Sequence, residues 1–98
     1  MGFRLSIQER AALKEALSDF QGEVFLFGSR LDDQLKGGDI DILLKPRNRT
    51  NQYALKQCVV SKFLRCLEQS LDVVLFDAKS PFCQEIIKHA QPLNPARL

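Results

Sequence analysis

The sequence predicts an α+β fold close to α/β, with a small mixed three-stranded sheet and helices packed on one of its faces. The length of 98 residues allows one hydrophobic core and not two. Three short runs rich in β-branched and aromatic residues alternate with amphipathic segments, as strands alternate with helices. We therefore expect a single domain spanning 1–98, with its core at about 6–90 and a loosely held tail at 91–98.

Capping residues mark where the helices begin. Ser6–Glu9 has the S-x-x-E form, in which serine and glutamate side chains cap each other's backbone amides at the start of a helix. Thr50 or Asn51 can cap a second and longer helix. Ser80-Pro81 places a capping residue before a proline in the first helical turn, which predicts a third helix ending near Ala90.

The predicted strands are Glu23–Phe27, Asp39–Leu44 and Leu71–Phe76, and Lys45-Pro46 is expected to end the second. The second and third strands are separated by the long helix, a crossover of the length that parallel pairing needs. The first pair is free to be antiparallel. Between its strands, residues 29–38 are polar and have the length for one or two helical turns.

Composition narrows the classes of function. The net charge of +2 is too small to indicate a nucleic-acid partner, and no apolar run approaches the roughly 20 residues that span a bilayer. Three cysteines without C-x-x-C spacing favour neither a disulfide framework nor a zinc site, so a cytoplasmic protein with reduced thiols is expected. Cys58 and Cys66 fall on the apolar stripe of the second helix, which predicts that both are buried.

Two aspartates begin the second strand. Because side chains alternate along a strand, Asp39 and Asp41 share one face with Leu43. The other face, which can pack on the helices, carries Ile40, Ile42 and Leu44. Two like charges on one face repel, and a divalent cation removes that repulsion. The alternative is a solvated strand face whose carboxylates only keep the sheet soluble.

A two-metal site for phosphoryl transfer normally needs a third carboxylate. Asp72, at the start of the third strand, lies beside the pair if the second and third strands are neighbours. Asp77 competes for this role, although its position past the strand end is more typical of a turn residue.

A Gly-Ser pair follows the first strand. Gly28 lacks a side chain, so a phosphate could come close to the backbone amides of this turn, and the Ser29 hydroxyl can donate to the same phosphate. Arg30 is a candidate to neutralise that phosphate, or a solvated surface group. Alone, a Gly-Ser turn after a strand is a weak signal.

Together, these residues resemble the G-S…D-x-D signature of the DNA polymerase β nucleotidyltransferase superfamily. At this length the chain looks most like the minimal nucleotidyltransferase (MNT) family, the antitoxin subunits of HEPN/MNT pairs. The resemblance is close over 27–44 and extends to 71–76, with one departure, since Gly38 stands where the family usually has serine.

The resemblance implies a palm-like nucleotidyltransferase core that transfers a nucleoside monophosphate, with AMP from ATP as the expected group, to a hydroxyl and releases pyrophosphate. It implies a turn that binds the nucleotide and three carboxylates that hold two Mg²⁺ ions. The positions concerned are Gly28, Ser29 and Arg30 for the nucleotide, and Asp39, Asp41 and Asp72 for the metals and catalysis.

The resemblance also implies where the acceptor comes from. A chain this short lacks an acceptor-binding domain, so the acceptor is expected on a HEPN-domain partner, which would be the toxin. Transfer of AMP to a tyrosine hydroxyl of this partner would silence it. A non-catalytic antitoxin that only masks its partner, and transfer to a small molecule or nucleic acid, are the alternatives. A membrane partner is not expected, and oligomeric state, a homo-oligomer included, is left open.

Overall fold

The computed structural model describes residues 5–31, 39–48 and 51–98. The Gly37-Gly38 pair and the alternative helix cap Thr50 lie outside these residues. Within the described residues, three helices, four strands and two short 3₁₀ turns follow one another. In chain order they are α1 (Ile7–Ala16), β1 (Gly22–Phe27), a 3₁₀ turn (Gly28–Leu31), β2 (Ile40–Pro46), α2 (Gln52–Cys66), β3 (Leu71–Leu75), α3 (Pro81–His89), β4 (Gln91–Leu93) and a second 3₁₀ turn (Pro95–Arg97).

The strands form one mixed sheet in the order β3-β2-β1-β4. β1 pairs with β2 and with β4 in antiparallel fashion, whereas β2 and β3 are parallel. The parallel pair joined by the long helix confirms the prediction from crossover length. The sheet therefore has β2 beside both β1 and β3, which is the arrangement that a shared site on these strands requires.

The prediction of three strands and a loose tail is wrong at the C-terminus. Gln91–Leu93 forms β4 against Val24–Leu26 of β1, and Leu93 is only 7% exposed within the core. Leu98 also packs against that core. Three residues are too few to show a strand period in sequence, and Pro92 is tolerated because β4 is an edge strand.

β2 is longer than predicted, because Lys45 and Pro46 continue the strand instead of ending it. Pro46 pairs with Gly22 at the last position of the ladder, where its missing amide costs little. Gly22 has φ +148°, and a Cβ there would press against the Lys45 carbonyl oxygen. The close approach of these two strand ends is thus possible only with glycine.

The core lies between one face of the sheet and the helices α1 and α2. Ile40, Ile42 and Leu44 of β2 point into it, which confirms the predicted alternation. Leu13 of α1 and Phe63 of α2 are fully buried against them. Asp41 lies on the opposite face of β2, which it shares with Leu43, a residue that is also fully buried.

The helices begin where their caps predict. Ser6 and Glu9 form a complete capping box, and the side chains of Asn51 and Ser80 accept hydrogen bonds from the backbone amides of Ala54 and Cys83. None of the helices in the described part of the chain is long and apolar enough to cross a membrane.

The predicted burial of two cysteines is wrong. Cys58 and Cys66 are exposed, and only Val59 and Phe63 of α2 are fully buried. α2 contacts the core along a narrow stripe with a spacing of four residues, so Cys58 points about 100° away from its buried neighbour Val59. All three cysteines are free thiols, as expected.

Candidate functional site

The first two aspartates lie where β2 begins. Asp39 directly precedes the strand and is exposed, and Asp41 is its second residue and half-buried. The isoleucines on either side of Asp41 are fully buried in the core. This burial fixes the strand's orientation, because rotating Asp41 inward would expose both isoleucines.

Asp72 lies next to Asp41. The two residues are register partners across the parallel β2–β3 ladder, and partners in such a ladder present their side chains on the same face. The two carboxyl groups are close enough for Asp72 to raise the pKa of Asp41 through hydrogen bonding and charge. Asp77 lies beyond β3, where its Oδ1 accepts a hydrogen bond from the Lys79 amide at 2.9 Å. Of the two candidates for a third carboxylate, the structure places Asp72 beside the pair.

The carboxylates perturb one another. Burial, the hydrogen bond and charge of Asp72, and the charge of Asp39 together raise the pKa of Asp41 from 3.8 to about 6. A carboxylate next to other carboxylates ionises with difficulty because the charges repel. The site therefore favours a positive charge between these strands.

The donor set suits an open divalent-cation site. Among residues 5–31, 39–48 and 51–98, no group of three acidic, histidine or cysteine side chains lies close enough together to hold a metal ion. Adjacent Asp41 and Asp72, with Asp39 near them, supply oxygen ligands, and Mg²⁺ commonly takes only one or two carboxylates and completes its shell with water and phosphate. These residues fit Mg²⁺ as a partly protein-bound ion.

The Gly-Ser turn abuts the carboxylates. Phe27, the last residue of β1, is the register partner of Asp41, so Gly28 begins its 3₁₀ turn directly beside this side chain. Gly28 has φ +83°, and a Cβ there would collide with Oδ2 of Asp41. The backbone of Ser29 lies in the same turn. The sequence analysis explained glycine at this position by the approach of a phosphate. The structure gives a separate reason, since the Asp41 carboxylate occupies the space that a Cβ would need.

Arg30 has a partner that the sequence analysis did not identify. Its guanidinium is buried and donates two hydrogen bonds of 2.7 Å to Oε1 and Oε2 of Glu9. Glu9 also accepts hydrogen bonds from the Ser6 amide at 2.9 Å and from Nε2 of Gln69 at 2.5 Å. A role for Arg30 at the phosphate stays a prediction.

The Glu9 carboxylate is strongly held in its charged form. Burial tends to raise its pKa, but the hydrogen bonds from Arg30, the Ser6 backbone and Gln69 outweigh burial and lower the pKa to about 2. A signal for this role is present in the sequence, since Glu9 is in phase with Leu13 and Ala16 on the buried face of α1. An acidic residue on an apolar stripe predicts a buried partner.

Fold and site together define a small α+β domain with acidic residues and a glycine turn at one end of a mixed sheet. No protein-family profile and no curated protein matches the chain. Solved structures do share its fold. A Shewanella oneidensis protein superposes with a TM-score of 0.65 at 15% identity, over 93% of this chain and 72% of that chain.

Two further neighbours come from toxin–antitoxin complexes. A chain of the MntA-HepT complex gives a TM-score of 0.59 at 20% identity, over 85% of this chain and 67% of that chain. A chain of the complex of a tri-AMPylated Shewanella oneidensis HEPN toxin with its MNT antitoxin gives 0.55 at 20% identity, over 84% and 62%. At these identities the likeness shows the fold, which is that of structures containing MNT antitoxins.

Proposed function

We propose that this protein is a Mg²⁺-dependent nucleotidyltransferase that transfers AMP from ATP to a hydroxyl of a HEPN-type toxin and so acts as its antitoxin. The observation that carries the proposal is the pairing of Asp41 with Asp72 directly beside the Gly28 turn. A phosphate-binding turn and metal-binding carboxylates must adjoin each other to act on one triphosphate.

The proposed reaction forms one bond and breaks one. The acceptor hydroxyl oxygen attacks the α-phosphorus of ATP, the bond from that phosphorus to the bridging oxygen of the β-phosphate breaks, and pyrophosphate leaves with the electron pair. The hydroxyl proton passes to a site carboxylate or to water. Bound Mg²⁺ would supply charge neutralisation for the phosphates.

The residues of this chain have two tasks in the proposal. Asp39, Asp41 and Asp72 hold the metal ions, and the backbone amides of the Gly28–Leu31 turn orient the triphosphate. Phosphoryl transfer asks a protein mainly for such positioning and charge neutralisation, so a sheet with one small site is sufficient.

The neighbours support the choice of acceptor. Two of them come from complexes between toxins and antitoxins, and in one of these the HEPN toxin carries three AMP groups. A hydroxyl on a partner protein is consistent with the open, exposed position of Asp39 and Asp72 at the surface of the sheet.

The test is a mass measurement on the partner. Purified protein, ATP, Mg²⁺ and its HEPN-type partner should together yield partner molecules heavier by one or more AMP groups. An unchanged partner mass would contradict the proposal. Omitting Mg²⁺ should also prevent the mass gain, because the carboxylates would then repel the triphosphate.

A double variant separates catalysis from binding. Asp39→Asn with Asp41→Asn removes two metal ligands without changing side-chain size, so the mass gain should disappear. If this variant still protects cells from the toxin, the protein is a non-catalytic antitoxin that masks its partner. Labelled product formed without any partner would instead indicate a small-molecule or nucleic-acid acceptor.

A further inference from the structure

A buried ion pair anchors the turn that carries Gly28 and Ser29. Arg30, the third residue of that turn, is 7% exposed and forms a two-pronged hydrogen bond with Glu9, which is 6% exposed. Such fork-to-fork pairing restricts the orientation of both side chains as well as the distance between them. The backbone of the turn is thereby tied to the first turn of α1.

The same carboxylate reaches a third segment. Gln69, in the connection between α2 and β3, donates to Oε2 of Glu9 at 2.5 Å. Gln69 lies three residues before Asp72, so Glu9 is linked to the segments that deliver both parts of the site. The Ser6 amide completes the hydrogen bonds to Glu9 and fixes its side chain to the helix start.

Displacement of the turn would directly change its contact with the Asp41 carboxylate. Gly28 touches the Asp41 carboxylate so closely that a single additional carbon atom has no room. A turn held this tightly cannot move relative to Asp41 without either separating from it or colliding with it.

We propose that Glu9, Arg30 and Gln69 are positioning residues, which hold the Gly28–Ser29 turn in register with the carboxylates so that it can bind the triphosphate of ATP. This inference rests on the proposed function. It assigns Arg30 an indirect role, through Glu9, in place of direct contact with phosphate.

The test is a double-mutant cycle on ATP binding. Glu9→Gln, Arg30→Gln and the combined variant are compared for calorimetric binding of ATP in the presence of Mg²⁺ and for KM and kcat of AMP transfer. If Arg30 acts through Glu9, each single change should lower kcat/KM roughly 10- to 100-fold, mostly through KM. The combined variant should be no worse than the worse single one.

The sign of the Glu9→Gln effect decides between the two roles of Arg30. If Arg30 contacts phosphate directly, removing the Glu9 charge should leave ATP binding unchanged or strengthen it, whereas Arg30→Gln weakens it. That pattern, or unchanged ATP binding in both single variants, would overturn the inference. Arg30→Lys keeps the positive charge but cannot form both hydrogen bonds to Glu9, so its KM for ATP should also stay above that of the wild type.

Controls separate positioning from loss of folding. Asp19→Asn breaks an exposed ion pair, 2.8 Å long, that joins the turn after α1 to Lys62 of α2, and it should leave ATP binding unchanged. Thermal melts identify any variant that is unfolded at the assay temperature. Should the single variants unfold, Glu9→Met with Arg30→Met removes both charges together and keeps the site packed. Wild-type ATP affinity in this folded variant would refute the inference.

The two proposals fail differently. If the wild-type protein binds ATP with Mg²⁺ but modifies no partner, the proposed transfer is wrong and the calorimetric cycle still tests the positioning role. If transfer occurs and the cycle shows no effect on ATP binding, only the positioning role is wrong.

Discussion

Gly28 is the residue on which the geometry of the site depends most directly. Its φ of +83° lies in the region that L side chains rarely adopt, and its α-hydrogen faces the Asp41 carboxylate where a Cβ would collide. Both constraints act at one position, so no other residue type satisfies them.

We predict that Gly28→Ala lowers both stability and ATP binding. Backbone strain at such a position costs about 1–3 kcal/mol, and relief of the collision must displace Asp41 from its place beside Asp72. Thermal melts and calorimetric titration with ATP and Mg²⁺ measure the two effects.

Gly22→Ala provides the matched control. Gly22 also has a positive φ, +148°, and a Cβ there would meet the Lys45 carbonyl, far along the sheet from the aspartates. This variant should lose stability while the folded fraction keeps its ATP affinity. Equal losses of ATP affinity in both variants would show that the contact between Gly28 and Asp41 has no special role.

Asp41 is the residue at which function conflicts with stability. Its pKa is raised from an ordinary 3.8 to about 6 by burial and by its acidic neighbours. The folded protein thus holds a proton that the unfolded chain has already lost between these two values. The contribution to stability is fully present below pH 3.8 and disappears as pH rises through about 6.

We predict that Asp41→Asn is more stable than the wild type in metal-free buffer at pH 7–8, by about 1 kcal/mol or ~4–8 °C in melting temperature after allowance for solvent screening. The advantage should shrink as pH falls toward 4, where Asp41 is protonated. Melting curves across this pH range check the prediction.

Asp19→Asn is the control for Asp41→Asn, because the pKa of Asp19 is lowered and not raised. The hydrogen bond and charge of Lys62 lower the pKa of Asp19, so its charge is favourable in the folded state and its removal should not stabilise the protein at neutral pH. If both variants melt above the wild type, the gain at Asp41 reflects general loss of negative charge.

At the scale of elements, local signals were sufficient for the helices and the three longer strands. Capping residues at Ser6, Asn51 and Ser80 act over one helical turn, and all three hold in the structure. The faces of β2 followed from strict alternation. β4 has only three residues and no such period, and its pairing with β1 joins segments more than sixty positions apart.

We predict that β4 contributes measurably to stability. Leu93→Ala should cost about 2–5 kcal/mol, because this side chain is 7% exposed within the core and its truncation leaves a cavity. Leu64→Ala, at a leucine that is 48% exposed on α2, should stay within about 0.5 kcal/mol. Urea unfolding measures both, and equal costs would mean that the C-terminal segment does not pack as described.

At the scale of the whole molecule, the sheet order brings the site together. β2 lies between β1 and β3, so the turn after β1 and the first residues of β2 and β3 meet at one end of the sheet. The buried ion pair beneath this end joins residues 21 positions apart in the chain, and Gln69 reaches Glu9 across 60.

The sequence by itself determined the helix starts and the orientation of Asp41 away from the buried Ile40 and Ile42. It also determined the set of acidic and glycine residues from which a site could be built. Each of these depends on neighbours within one helical turn or a few strand positions. Only the tertiary structure decided that Asp72 pairs with Asp41, that Arg30 pairs with Glu9, that Cys58 and Cys66 are exposed and that the last residues form a strand. These outcomes depend on strand register and on which side chains meet across the fold, and local periodicity contains neither.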